Sequence, residues 1–82
     1  MARFYLHQRT ATGRIEDPEG SDLPDLDAAR SHALTAARHL WAAAILQQGE
    51  PAGLSFEIAD EQGQRLASIS FRTALPKSLQ EM

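Results

Sequence analysis

Twelve consecutive residues, Glu16 to Asp27 in EDPEGSDLPDLD, hold six of the chain's eleven carboxylates. Carboxylates at this density can ligate calcium, dock a basic partner, or build turns and cap a helix. A calcium loop of the EF-hand type needs oxygen ligands at its first, third, fifth and twelfth positions and a glycine at the sixth. With Asp17 as the first position, Glu19 and Ser21 follow in register, but Asp22 stands where glycine belongs and Ala28 where the bidentate glutamate belongs. Metal chemistry therefore lacks its main ligand and its turn. Turn chemistry accounts for more. Asp17-Pro18-Glu19-Gly20 pairs a proline that fixes one dihedral with a glycine free to take positive φ. Asp25 is placed to cap a following helix, and Asp27 lies in its first turn, where the dipole favours a negative charge. The remaining acids, Glu16, Asp17, Glu19 and Asp22, exceed what capping requires, and an acidic contact surface for a basic protein is the alternative reading of them. On this reading Asp25→Ala loses a cap, whereas Asp17→Ala and Glu19→Ala stay near neutral.

The other chemistry-bearing residues form no apparatus. His32 and His39 lie seven apart on the solvent side of a predicted helix, with no carboxylate at the i+4 position of either. His7 sits between Tyr5 and Arg9 on a strand, where a histidine satisfied by the sheet is the ordinary case. Serines 21, 31, 55, 68, 70 and 78 have no nucleophile-elbow context, and there is no glycine-rich phosphate loop. Arg3, Arg9 and Arg14 on the first hairpin, with Arg30 and Arg38 on the helix, make a basic strip only if the fold gathers them. Catalysis, a cofactor and a metal are not expected.

The 82 residues carry a net charge of -3 and no cysteine. A chain of this length buries only about 60% of the surface its unfolded form exposes, so the core is thin. Absence of cysteine removes disulfides, thiolate zinc sites and thiol catalysis. The net charge has the wrong sign for non-specific binding to phosphate backbones, so nucleic acid is not an expected partner. MARFYLHQRT lacks the apolar run of a signal peptide, and no segment reaches the length of a membrane span, which sets the expectation of a cytoplasmic protein without membrane contact.

The elements that position these residues follow from periodicity. Residues 3–9 read as a strand, with Phe4 and Leu6 on one face and Tyr5 and His7 on the other. Thr10 to Gly13 turn the chain into a short strand over 13–17. From Leu26 to Gln48 the period is helical, and Leu26, Ala29, Ala33, Ala37, Leu40 and Ala44 form one stripe, with Leu34, Trp41 and Ile45 as bulky anchors beside it. Gly49 and Pro51 end that helix. LSFEIA (54–59) alternates with Leu54, Phe56 and Ile58 inward and Ser55 and Glu57 outward, and RLASISFR (65–72) returns with Ala67, Ile69 and Phe71 inward. The fold predicted is α+β, ββαββ, an antiparallel four-stranded sheet with one long helix on one face. Residues 1–75 form the domain and 76–82 a tail.

These motifs together resemble a family of small bacterial proteins, frequent in soil alphaproteobacteria and classed as a domain of unknown function. The resemblance spans roughly residues 3–75. It rests on Phe4-Tyr5-Leu6-His7, an aromatic-rich first strand ending in histidine, on Asp17-Pro18-Glu19-Gly20, and on Leu23-x-x-Leu26-x-x-Ala29 leading into the alanine-rich helix. Asp60-x-x-Gly63-x-x-Leu66 and Ile69-Ser70-Phe71 continue it; Leu6 departs from the pattern, which carries a third aromatic there. The resemblance implies a compact α+β domain and no established activity. The hairpin-then-helix order is also similar to that of antitoxins with a partial ribonuclease-H fold.

One helix covers one side of such a sheet, leaving Tyr5, His7 and Leu66 beside Ser68 and Ser70 on a half-apolar face. The expected function is accordingly a small interaction or regulatory module, a homodimer with Tyr5 or Leu66 in its interface. The alternative is an antitoxin-like binder of a basic effector through residues 16–27.

Overall fold

The structure, a computed structural model, describes residues 1–47, 49 and 53–74. The element order is β1 (Ala2–Thr10), β2 (Gly13–Ile15), β3 (Ser21–Leu23), α1 (Leu26–Leu46), β4 (Gly53–Ala59) and β5 (Arg65–Ser70), followed by a 3-10 turn at Arg72–Ala74. All pairings are antiparallel, in the order β2-β1-β4-β5, with β3 also on β1. The α+β class is as predicted, with five strands among the described residues instead of four.

The additional strand is β3. β2 pairs with Gln8–Thr10 of β1, and β3 pairs with Ala2–Phe4, so the two run along one edge of β1 as an interrupted strand. Three residues of β1, Tyr5 to His7, face the five residues 16–20 that loop out between them. A three-residue strand with one leucine carries too little alternation to be distinguished from the acidic loop around it.

The helix starts where Asp25 accepts a hydrogen bond from the Ala28 amide at 2.8 Å. At its end the amides of Gln47 and Gly49 both return to the Ala44 carbonyl. Ala29, Ala33 and Ala37 are fully buried, and these small side chains let the backbone lie close to Phe4, Phe56, Ile58, Ile69 and Phe71. Phe56 and Phe71 pack with tilted rings, centroids 4.9 Å apart. Gly53 completes that corner, because a Cβ there would run into the Phe71 ring and the Gln8 amide.

The expected anchors shift. Ile45 is exposed, and Trp41 is half-buried, holding its place by donating its indole N–H to the Phe71 carbonyl at 2.7 Å. Beside it the Arg38 guanidinium donates to the Ala74 carbonyl at 3.3 Å, so the helix is pinned to the turn that follows β5. The bulky apolar side chains come from the strands instead, since the alanine stripe leaves the helix little volume to contribute. The Leu54 side chain and the tail at 76–82 lie outside the described residues.

Candidate functional site

With α1 on one side, no other helix among the described residues packs on the opposite face of the sheet, where the 16–20 loop lies against Tyr5 and His7. The register of β1, β4 and β5 aligns His7, Glu57 and Ser68 in one row, and Arg9, Ser55 and Ser70 in the next, with Arg14 of β2 beside Arg9. Strand alternation puts these side chains on the side away from Phe56, Ile58 and Ile69.

Glu57 is the centre of this face. It was expected to point outward, and it does point away from the helix, yet its side chain is only 7% exposed. Three arginines cover it. Arg65 donates to it at 3.2 Å, while Arg9 and Arg14 lie at 3.7 and 3.8 Å from its oxygens. Each guanidinium comes from a different strand, and each side chain is 44–66% exposed. Burial raises the Glu57 pKa, but the Arg65 hydrogen bond and the charges of Arg9, Arg65 and Arg14 together hold it below the ordinary glutamate value. One carboxylate oxygen, Oε1, is buried without a hydrogen-bond partner among the described residues. Buried polar atoms in folded proteins are nearly always paired, which makes this one a marker.

The face is thus arginine-rich, not half-apolar as expected. Leu66 is 38% exposed on β5, and Tyr5 and His7 stack on β1 with centroids 6.2 Å apart and planes 14° from parallel. Of the arginines considered from sequence, the fold gathers Arg9 and Arg14. Arg3 pairs with Asp22 at 3.4 Å, and Arg30 and Arg38 are on the helix side. Arg65 and Glu57 were missed. The available signal was a glutamate in the middle of an otherwise buried strand, and a register that sets β5 beside it.

The acidic stretch has largely structural work. The Asp17 carboxylate fills the gap between β2 and β3: Oδ2 accepts the Leu6 amide at 3.1 Å, and Oδ1 accepts the amides of Gly20 at 3.1 Å and Glu19 at 3.3 Å. Its own amide donates to His7 Nδ1 at 3.1 Å. Nδ1 is then the acceptor, so in the neutral ring the hydrogen sits on Nε2. Partial burial raises the Asp17 pKa, and the hydrogen bonds from the Leu6, Gly20 and Glu19 amides outweigh that and bring it below the usual aspartate value. Gly20 takes φ +72, and a Cβ would lie 2.9 Å from the Tyr5 ring and 3.0 Å from the Phe4 carbonyl. The loop is therefore clamped over Tyr5 and His7.

Glu16 pairs with Arg14 at 2.7 Å, and Asp22 with Arg3. Among the described residues only Glu19 and Asp27 of the six acids show no ion pair, cap or ladder contact for their carboxylates. The acids read as a surplus for a basic effector are mostly neutralised within the chain, and Asp17, expected to be dispensable, is the most engaged of them. Among the described residues no group of three His, Asp or Glu side chains is placed to hold a metal ion, and no helix is long and apolar enough to cross a membrane. His32 and His39 are exposed on α1.

Comparison with known proteins adds one finding. Residues 3–72 match the model of a family described as Domain of unknown function (DUF6894). No curated protein and no solved structure matches the chain.

Proposed function

We propose, for a chain that belongs to the DUF6894 family of domains of unknown function, that it is a small interaction module and that it works as a homodimer joined along β5. The observation that carries the reading is the position of β5 at the end of the sheet order. Among the described residues Arg65–Ser70 has one neighbour, β4, so its other edge offers a row of backbone donors and acceptors. The strand has no proline, no lysine and a single charge at Arg65; its blunting feature is the register shift opposite Ile58 and Ala59, at its start, which leaves Ala67–Ser70 regular. Leu66 adds exposed apolar surface there.

A second copy fits this edge. Antiparallel pairing about a two-fold axis near Ala67 and Ser68 places Arg65 of each copy near Ser70 of the other, so like charges are not opposed. Pairing face to face is unfavourable, because Arg9, Arg14 and Arg65 of one copy would meet the same residues of the other. Tyr5, lying under the 16–20 loop, is not part of this interface, and Leu66 is.

Six paired residues make an edge about 20 Å long. That contact alone is smaller than the roughly 800 Å² per partner of a stable interface. The dimer is accordingly expected at micromolar concentration and above, dissociating on dilution. Light scattering across a concentration series should show monomer passing to dimer, and Leu66→Glu should remain monomeric throughout. A wild-type chain that stays monomeric at several hundred micromolar would sink the reading.

A further inference from the structure

We propose that the Glu57 cluster is a binding site for a phosphate monoester carried by a small molecule, with Arg9, Arg14 and Arg65 as its ligands and Glu57 as their positioning residue. The inference does not depend on dimerisation.

Stability accounts for only part of the cluster: the arginines favour ionised Glu57 in the folded chain, but packing at this place does not require a carboxylate. Taking a carboxylate out of water costs several kcal/mol in general, and arginine pairing returns it only when geometry is excellent and every lone pair is used. Here Arg9 and Arg14 stand at 3.7 and 3.8 Å, beyond hydrogen-bond distance, and Oε1 has no partner among the described residues. An apolar residue at this place would serve packing as well. What the arrangement achieves is convergence: guanidiniums from β1, β2 and β5 brought around one point on the face opposite α1. Each guanidinium has five N–H donors. The described contacts use one hydrogen bond from Arg65 to Glu57 and one from Arg14 to Glu16, so most donors remain available.

Charge and shape select the ligand. Three guanidiniums less the carboxylates of Glu57 and Glu16 leave one net positive charge at the cluster. That matches a compact anion of one to two charges. A polyanion would extend past the cluster over Glu16 and across a protein of net charge -3. A planar carboxylate is satisfied by one or two guanidinium forks, whereas the terminal oxygens of a phosphate monoester accept from three directions. The Ser55 and Ser68 hydroxyls lie in the same rows of the face and supply neutral donors.

The test is an NMR titration of the full chain with phenyl phosphate, following the side-chain N–H signals of Arg9, Arg14 and Arg65. Saturable shifts at those three are expected. Benzoate, of similar size, should bind at least about tenfold more weakly, and Arg65→Ala, a mostly exposed side chain whose loss leaves the core intact, should weaken phenyl phosphate about tenfold. Glu57→Gln makes the face more positive yet should weaken binding, because it loosens the three arginines. Tighter binding by that variant would remove the positioning role. Shifts that do not saturate and match those from sodium chloride would overturn the site. So would an unchanged affinity in Arg65→Ala, or a single-stranded oligonucleotide binding more tightly than the monoester.

Discussion

Replacing Asp17 with alanine removes one acceptor from three amides at once, those of Leu6, Gly20 and Glu19. A hydrogen bond to a charged group contributes about 1.5–3 kcal/mol when water cannot substitute for it. The Glu19 contact is exposed and long at 3.3 Å and is counted as negligible, while those to Leu6 and Gly20 are part-buried at 3.1 Å. Discounting for water that reaches the loop, the loss is about 2–4 kcal/mol. Small domains have a total stability of about 5–15 kcal/mol, and 1 kcal/mol shifts the melting temperature by about 4–8 °C in this size class. A fall of about 8–32 °C is therefore expected, followed by circular dichroism with a urea titration for the free energy. Asp25→Ala is the internal reference, since it removes a single exposed cap bond to Ala28 and should cost about 0.5–2 kcal/mol. Asp17→Asn, which keeps one accepting oxygen, should fall between wild type and Asp17→Ala. If Asp17→Ala proves no worse than Asp25→Ala, the carboxylate is not what bridges β2 and β3. Retained exchange protection of the Leu6 amide in that variant would say the same.

Gly20→Ala should cost at least about 2 kcal/mol, combining positive φ with a clash against Tyr5, whereas Gly63→Ala, at φ +81 with open space around it, should cost about 1 kcal/mol; paired denaturation curves compare them directly. Trp41→Phe keeps much of the ring volume but leaves the Phe71 carbonyl without its 2.7 Å donor, an expected loss of about 1–2 kcal/mol; in the wild type the indole N–H signal should exchange slowly with solvent. Asp17 and Glu57 both have folded pKa values below their unfolded ones, so the stability they contribute is present above about pH 4 and is lost as pH falls through the folded values. Unfolding free energies measured from pH 5 to pH 2 should decline in the wild type, and the Asp17→Asn, Glu57→Gln double variant should show a flatter slope.

Legibility from the sequence followed the length of each periodic signal. α1 was readable because its alanine stripe, the Asp25 cap and Gly49 agree over many turns, and β1, β4 and β5 because apolar alternation persists in each. β3 was not, having only three residues. Asp17 was misjudged for a related reason: its carboxylate stands in for backbone acceptors across the gap between β2 and β3, and a gap is visible only once both pairings are known. The Asp-Pro-Glu-Gly string correctly indicated a turn, but nothing local revealed that the turn sits over Tyr5 and His7.

Glu57 shows the same limit from the opposite direction. Alternation assigned it to the outer face, and that assignment holds; position on an outer face does not mean exposure when the neighbouring strands carry long cationic side chains. An arginine stem is largely hydrocarbon, so three of them can bury a carboxylate while their own charged ends stay in water. That outcome requires Arg9 and Arg14 to meet across the first hairpin, and Arg65 to reach the row of Glu57 from a register shift between Ile58 and Ala59. A one-residue slip at that shift would turn Arg65 toward the helix side. Convergence on the open face is thus a property of the strand register, and the irregularity at the start of β5 is the structural feature on which the proposed anion site depends.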